Sequence, residues 1–513
     1  MAETLIRIDP SSPTALYRQV QEAIVAGIAA GVFDVKRRLP SSRELAAELE
    51  VSRNTINLAY QELLAQGLLI SQERRGIFVN PDLTPDQLEA FTASATDTGP
   101  NAPVARIDWA SRLAPAGDAS LPELIKPPDW SQYPFPFLPG QIELAQFPAR
   151  SWTRCLREAL FQPHLAHALQ DSAGCDDDML VEMIRTRLLP SRGVHVQPEE
   201  IMITLGTQHG LDLIAEALLK PGDRVLMEDP GYLDIRHILT RHQAEVGEMP
   251  VDADGAIVPA DLTGVQAVFL TPSHHHPTNV TMLMDRRQAA LEAAAASGTV
   301  VVEDDYDAEF RYSGQPSPSL KAIDPSGDVV HLGSFSKFLA PGLRLGFLVG
   351  PAELIAALRH STRYTVRHAP GVLQRAMALF LDSGDYHRTL RLNRERMRKK
   401  FTLMCEGVAE LLPFESRCRF PSGGVSLWFE GPAELDARVL QEAACQRGVL
   451  VEPGDYFFAA TAEHGFGSRE VPGHPGGIER YPWATLRLGY AAIPTRAIRP
   501  GLELLAEVAR EVL

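Results

Sequence analysis

The chain has 513 residues, 45% of them apolar and 22% charged, and a net charge of −16. This is the composition of a globular protein long enough for two or three domains, and the acidity excludes a nonspecific nucleic-acid binder held by bulk electrostatics. Basic and acidic side chains nearly cancel over residues 1–80, so a specific DNA-binding head on an acidic body stays open. The N-terminus shows no secretory pattern and no apolar run is long enough to span a bilayer, so a cytoplasmic protein with no membrane partner is expected. Five cysteines, an odd number with no CxxC pair, read as reduced thiols.

In chain order, residues 14–30 place Leu16, Val20, Ile24 and Ile28 on one helical stripe. Ser41 and Glu44 then form a capping-box pattern ahead of Leu45 and Leu49 on a short second helix. Ser52 caps a third helix that turns Ile56, Ala59, Tyr60 and Leu63 inward and ends at Gly67. Residues 68–71 and 77–79 read as strands around the basic tip Glu73-Arg74-Arg75-Gly76. The sum is a winged helix-turn-helix.

The stretch from Asn80 to about Leu121, rich in Pro, Thr, Ala, Asp and Gly, reads as a linker. The predicted domains are therefore 1–80, a linker over 81–121, and a body over 122–513. Within the body, apolar runs at residues 201–204, 224–227, 267–270, 299–302, 329–332 and 346–349 alternate with helical patterns. Buried, mostly parallel strands follow, hence an α/β fold with helices on both faces of the sheet.

In a helix-turn-helix the start of the second helix meets base edges, which makes Arg53, Asn54, Thr55 and Asn57 the candidate readers and Arg43 a phosphate anchor. Arg74 and Arg75 at the tip are candidates for the minor groove, with Gly76 permitting close backbone approach. Any one of these arginines alone reads equally well as a solvated charge. Together, Leu39-Pro40-Ser41-Ser42-Arg43-Glu44-Leu45-Ala46 and Val51-Ser52-Arg53-Asn54-Thr55 resemble the winged helix of the GntR family. That resemblance implies operator binding as a homodimer, with Arg43, Arg53 and Gly76 touching DNA.

The body carries the parts of a pyridoxal 5'-phosphate (PLP) site: an amine for the Schiff base, an acid for the pyridine nitrogen, a phenol for the ring oxygen, an aromatic plate and a phosphate cradle. Lys337 follows a buried strand, with Ser334 and Ser336 placed to meet the phosphate and Arg344 to clamp it. Strand alternation puts Asp304 and Tyr306 on one side at a carboxyl end, where α/β ligand sites lie. Gly206, Thr207 and Gln208 turn from strand into helix and form the cradle, and Tyr232 supplies the plate. Each element alone reads more readily as ordinary structure; their order and joint presence decide the matter.

These residues resemble fold type I aminotransferases, and with the GntR-type head the whole chain resembles the MocR/GabR family of PLP-dependent transcriptional regulators. The motifs that carry this are Glu303-Asp304-Asp305-Tyr306-Asp307 and Gly333-Ser334-Phe335-Ser336-Lys337. The resemblance implies a smaller C-terminal α+β subdomain, a homodimer, and an amino-compound effector that displaces Lys337 from the cofactor to form an external aldimine. It also implies that Arg487 holds the effector's acid group.

Two departures stand out. His276 occupies the place of the usual asparagine beside the ring and Asn279 that of a glycine, which leaves the bond to the ring oxygen to Tyr306 and His276. The triplet His274-His275-His276 suggests a metal, but neighbours in an extended segment point to opposite faces, so no metal is expected. Where ω-amino-acid sensors carry an arginine two residues past the stacking tyrosine, this chain has Asp234. That acid either receives a second amine or faces solvent, and taurine-like and diaminobutyrate-like compounds become the candidate effectors. The alternative function is a working aminotransferase with a DNA-binding fusion.

Overall fold

A computed structural model describes residues 8–9, 12, 14–33, 38–72, 75–83, 109–113, 121–307, 309–313, 317–335, 337, 339–412, 421–459 and 482–513. Arg74 and Ser336, and most of the span read as linker, lie outside them. The chain divides into two compact units, residues 1–113 and 114–513.

In the first unit, α1 (Leu16–Ala29) buries Val20 and Ile24 completely, and α3 (Arg53–Ala65) buries Ile56, Ala59, Tyr60 and Leu63 against them. Between them, α2 (Ser42–Glu48) opens with a full capping box: Ser41 Oγ accepts from the Glu44 amide at 3.2 Å and Glu44 accepts from the Ser41 amide at 2.7 Å. Such a cap satisfies amides that the first helical turn leaves unpaired and contributes about 1 kcal/mol. Tyr60 donates to the Pro40 carbonyl at 2.8 Å, which fixes α3 against the turn that enters α2. β1 (Leu69–Gln72) and β2 (Gly76–Val79) pair antiparallel as the wing. A short helix at Trp109–Arg112 falls within the span read as linker.

The second unit is built on an eight-stranded sheet in the order β4-β11-β10-β9-β8-β5-β6-β7. Its strands are β4 (Ile201–Thr204), β5 (Arg224–Asp229), β6 (Glu245–Asp252), β7 (Gly255–Ala256), β8 (Val265–Leu270), β9 (Val300–Asp305), β10 (Val330–Ser334) and β11 (Gly346–Val349). From β10 through β6 every neighbouring pair is parallel, whereas β11 runs antiparallel between β10 and β4. One apolar cluster packs the helix Thr207–Leu218 against one face, and another packs the helices Ala149–Ala159 and Gly371–Asp382. Strand β6 is absent from the sequence reading, because Glu245, Gly247, Glu248 and Pro250 break any apolar run.

A smaller sheet, β12 (Ser426–Glu430), β15 (Thr485–Gly489) and β14 (Glu452–Pro453), is antiparallel and shares a core with the helices Asp385–Leu411, Ala437–Gln446 and Ile498–Val512, while β3 (Phe135–Pro136) pairs parallel with β13 (Val449–Leu450). Its register sets Glu452 directly opposite Arg487. Side chains directly opposite share a face, so this pairing brings an acid to the arginine.

Candidate functional site

The site lies at the carboxyl ends of β4, β8, β9 and β10. Glu303 is wholly buried and accepts from the amides of Leu320 and Lys321 and from His331 Nδ1 at 2.9 Å. Anchored there, β9 turns the next side chain, Asp304, to its other face. Among the described residues Asp304 Oδ1 is buried with no hydrogen-bond partner, and burial, reinforced by Asp305, pushes its carboxyl up to about 7. The Tyr306 hydroxyl is likewise buried and unpaired. Lys337 Nζ stands 5.7 Å from the Tyr306 ring centre. Removal from water, then repulsion by Arg487 and Lys126, pushes that amine down to about 8.

After β4, Gly206 enters the helix Thr207–Leu218 at φ +85°, a conformation that favours glycine. A side chain there would also meet the Arg344 guanidinium at 3.1 Å. Arg344 is exposed and donates to the Leu205 carbonyl at 2.9 Å. A helix N-terminus and a guanidinium over bare backbone make a cradle for an oxyanion. Ser334 is buried at the end of β10.

His276 explains the first departure in the sequence. Its Nε2 lies 2.7 Å from Arg487 Nη1, and an arginine only donates, so Nε2 accepts and the ring proton sits on Nδ1. Burial first, and then Arg487 and Lys337, hold its pKa well below 6.5, so the ring is neutral. The Nδ1–H is buried and unpaired among the described residues, ready to donate as an asparagine amide would. Asn279 has φ +59°, a conformation tolerated best by glycine and then asparagine, which accounts for its presence in the glycine position. His274 Nδ1 donates to Asp307 at 2.8 Å and His275 Nδ1 lies 2.7 Å from Thr278 Oγ1, so the three histidines serve three different partners.

Asp234 accepts from the Tyr232 hydroxyl at 2.7 Å and from the Gln208 side chain, so its carboxylate is already engaged. The Tyr232 ring meets His276 edge-on with centroids 4.9 Å apart. Lys126, Glu452, Phe457 and Ser426 also reach this place. Arg487, 3% exposed, lies 3.3 Å from Glu452 and donates to Ser426 Oγ at 3.2 Å, while Phe457 packs 5.3 Å from His276. None of the four stands in a motif, and no local signal marks them.

In the first unit, Arg43, Arg53, Asn54 and Arg75 are exposed, and Arg53 Nε lies 3.4 Å from Ser42 Oγ. Thr55 Oγ1 sits 2.8 Å from Ser52 Oγ, which ties Thr55 to the cap of α3. Gly76, with φ +111°, lies under the Arg38 side chain.

Residues 16–79 match the bacterial regulatory proteins of the gntR family, and residues 160–466 match aminotransferase class I and II. The HTH-type transcriptional regulator TauR of Rhodobacter capsulatus is 37% identical over 507 residues, 98% of each chain. The chain belongs to the MocR/GabR family of transcriptional regulators. The probable rhizopine catabolism regulatory protein MocR of Rhizobium meliloti is 31% identical over 98% of this chain and 95% of its own. Among solved structures, the α-aminoadipate aminotransferase LysN of Thermus thermophilus, complexed with N-(5'-phosphopyridoxyl)-L-leucine, overlays with a TM-score of 0.68 at 26% identity. It covers 79% of this chain and 99% of its own. This MocR/GabR-type chain thus joins a gntR-type head to an aminotransferase-fold body, and among its described residues no helix is long and apolar enough to cross a membrane.

Proposed function

We propose that the body holds PLP and senses an amino compound, and that the head binds operator DNA under that control. The observation that carries this is the convergence of three unsatisfied buried groups, Asp304 Oδ1, Tyr306 OH and His276 Nδ1, beside an amine shifted to about 8. Buried polar groups without partners are rare unless a ligand completes them. Here each matches one polar atom of the cofactor.

When bound, the cofactor supplies an aldehyde that condenses with primary amines. Lys337 attaches it, and Asp304 opposes the pyridine nitrogen, a cation that keeps the carboxyl ionised. Tyr306 and the His276 Nδ1–H donate to the ring oxygen. Arg344, the amides after Gly206, Ser334 and Ser336 hold the phosphate, and Tyr232 covers the ring. Arg487 receives the acid group of the effector. The winged helix favours regulation over turnover, since an enzyme has no use for it.

Arg53 reads bases, Arg43 positions the backbone, and Arg75 at the wing tip enters the minor groove. Arg53→Ala is expected to lose roughly 1–3 kcal/mol of discrimination between operator and scrambled DNA in gel shifts, whereas Arg43→Ala weakens both alike. Operator binding that survives deletion of residues 1–80 would refute the assignment.

The body pairs with a second copy, since a helix-turn-helix reads paired half-sites best as a dimer. Phe161, Leu169 and Tyr364 are 68%, 63% and 72% exposed, and the segments carrying them are joined by the Arg367–Asp171 ion pair at 2.5 Å. Large apolar side chains left this exposed are candidates for an interface. Sedimentation of the cofactor-loaded protein at micromolar concentration is expected to give a dimer, and Phe161→Glu with Tyr364→Glu a monomer.

A further inference from the structure

Glu452, which stands in no motif, sits on Arg487, and Lys126 sits on the other oxygen of Glu452. Glu452 is 2% exposed; its Oε2 lies 3.3 Å from Arg487 Nη1, and its Oε1 accepts no hydrogen bond but lies 3.7 Å from Lys126 Nζ. Lys126 donates to the Pro139 carbonyl. A side chain placed on Gly140 would stand 3.1 Å from Lys126 Nζ and 3.3 Å from Lys337 Nζ, so the two amines flank one small space. Arg487 Nη2 is buried and has no acceptor among the described residues.

Setting aside Lys337, read as the attachment point of the cofactor, and Asp234, whose charge also reaches Lys126, the cluster holds two cations and one anion around an unfilled donor. Burial lowers the Lys126 amine and Glu452 pulls it back up, while Arg487 opposes it. One further negative group would balance the charges and fill Nη2; a second would face Glu452 with no cation left. Asp234 does not play this part, because Tyr232 and Gln208 hold its carboxylate.

We propose that Lys126 joins Arg487 in holding the acid group of the effector, and that Glu452 restricts this anchor to a single such group. The effector class is then a compact primary amine with one carboxylate or sulfonate, and diacids are excluded. This rests on the reading of Lys337 and Arg487 given above.

The test titrates full-length, PLP-loaded protein with 3-aminopropanoate, 2-aminoethanesulfonate, aspartate and propylamine, followed by the absorbance of the bound cofactor and, separately, by calorimetry. Wild type is expected to bind one or both of the monoacids and to reject aspartate; the relative response to 3-aminopropanoate and 2-aminoethanesulfonate tells carboxylate from sulfonate. Lys126→Met is expected to weaken monoacid binding roughly ten-fold relative to propylamine, and Lys126→Arg to restore it. Glu452→Gln is expected to strengthen aspartate binding roughly ten-fold. The proposal is overturned if wild type binds no acidic probe or takes aspartate as well as the monoacids, or if the variants keep the wild-type preference. A wild type without the lysine-bound absorbance band fails the Lys337 reading instead, and calorimetry still tests the anchor.

Discussion

Lys337→Ala is expected to lose the visible absorbance band of lysine-bound PLP completely, and with it all borohydride trapping, while the circular dichroism of the fold is unchanged. The side chain is half-buried, with its amine 5.7 Å from the Tyr306 ring centre. The wild-type amine must be neutral to attack an aldehyde. Its value of about 8 lies below the ordinary 10.5, so roughly one amine in ten is neutral at pH 7 and most are above pH 9. The rate of covalent capture of added PLP is therefore expected to rise with pH through about 8 and to level off above it. A retained band in Lys337→Ala, or a capture rate that climbs only near pH 10.5, would remove Lys337 from this role.

The second large effect belongs to Arg487. Arg487→Ala is expected to weaken binding of acidic amines by about 100-fold, because a buried guanidinium that meets a carboxylate or sulfonate contributes several kcal/mol. The same change strips Glu452 and His276 of a donor and leaves a buried carboxylate short of its cation, which by itself disturbs the site. Arg487→Ala combined with Glu452→Gln removes that residual charge. If the double variant still fails to answer acidic amines while answering propylamine, the loss belongs to the ligand contact; recovered binding of the acidic amines would show that Arg487 acts only as the counter-ion of Glu452.

Much of the architecture was legible locally. Val20 and Ile24 on one stripe, the Ser41 and Glu44 box, and the Ser52 cap appear in the structure as read, because helix periodicity and capping involve residues no more than a few positions apart. Strands β4 and β11 and the buried part of β9 announce themselves by continuous apolar runs. Lys337, Asp304 and Gly206 stand at strand ends, so order along the chain already placed them near one another. Strand β6 escaped because its polar, Gly and Pro content hides a strand that only pairing with β5 and β7 stabilises.

What surrounds Arg487 had no such trace. Glu452 reaches it through the antiparallel register of β14 on β15, His276 from the loop after β8, and Lys126 from an irregular segment ahead of the sheet. A solitary lysine or glutamate carries no period, and its meaning depends on partners that lie far along the chain. Asp234 shows the same in reverse: the sequence left it between ligand contact and solvent, and packing beside Tyr232 and Gln208 gave it a third place. Short-range pattern was enough for the family, the two kinds of domain and the residues that periodicity and capping control. Packing set the tautomer of His276 and the pairing of Arg487, since these depend on burial and on contacts between residues 35 and 211 positions apart.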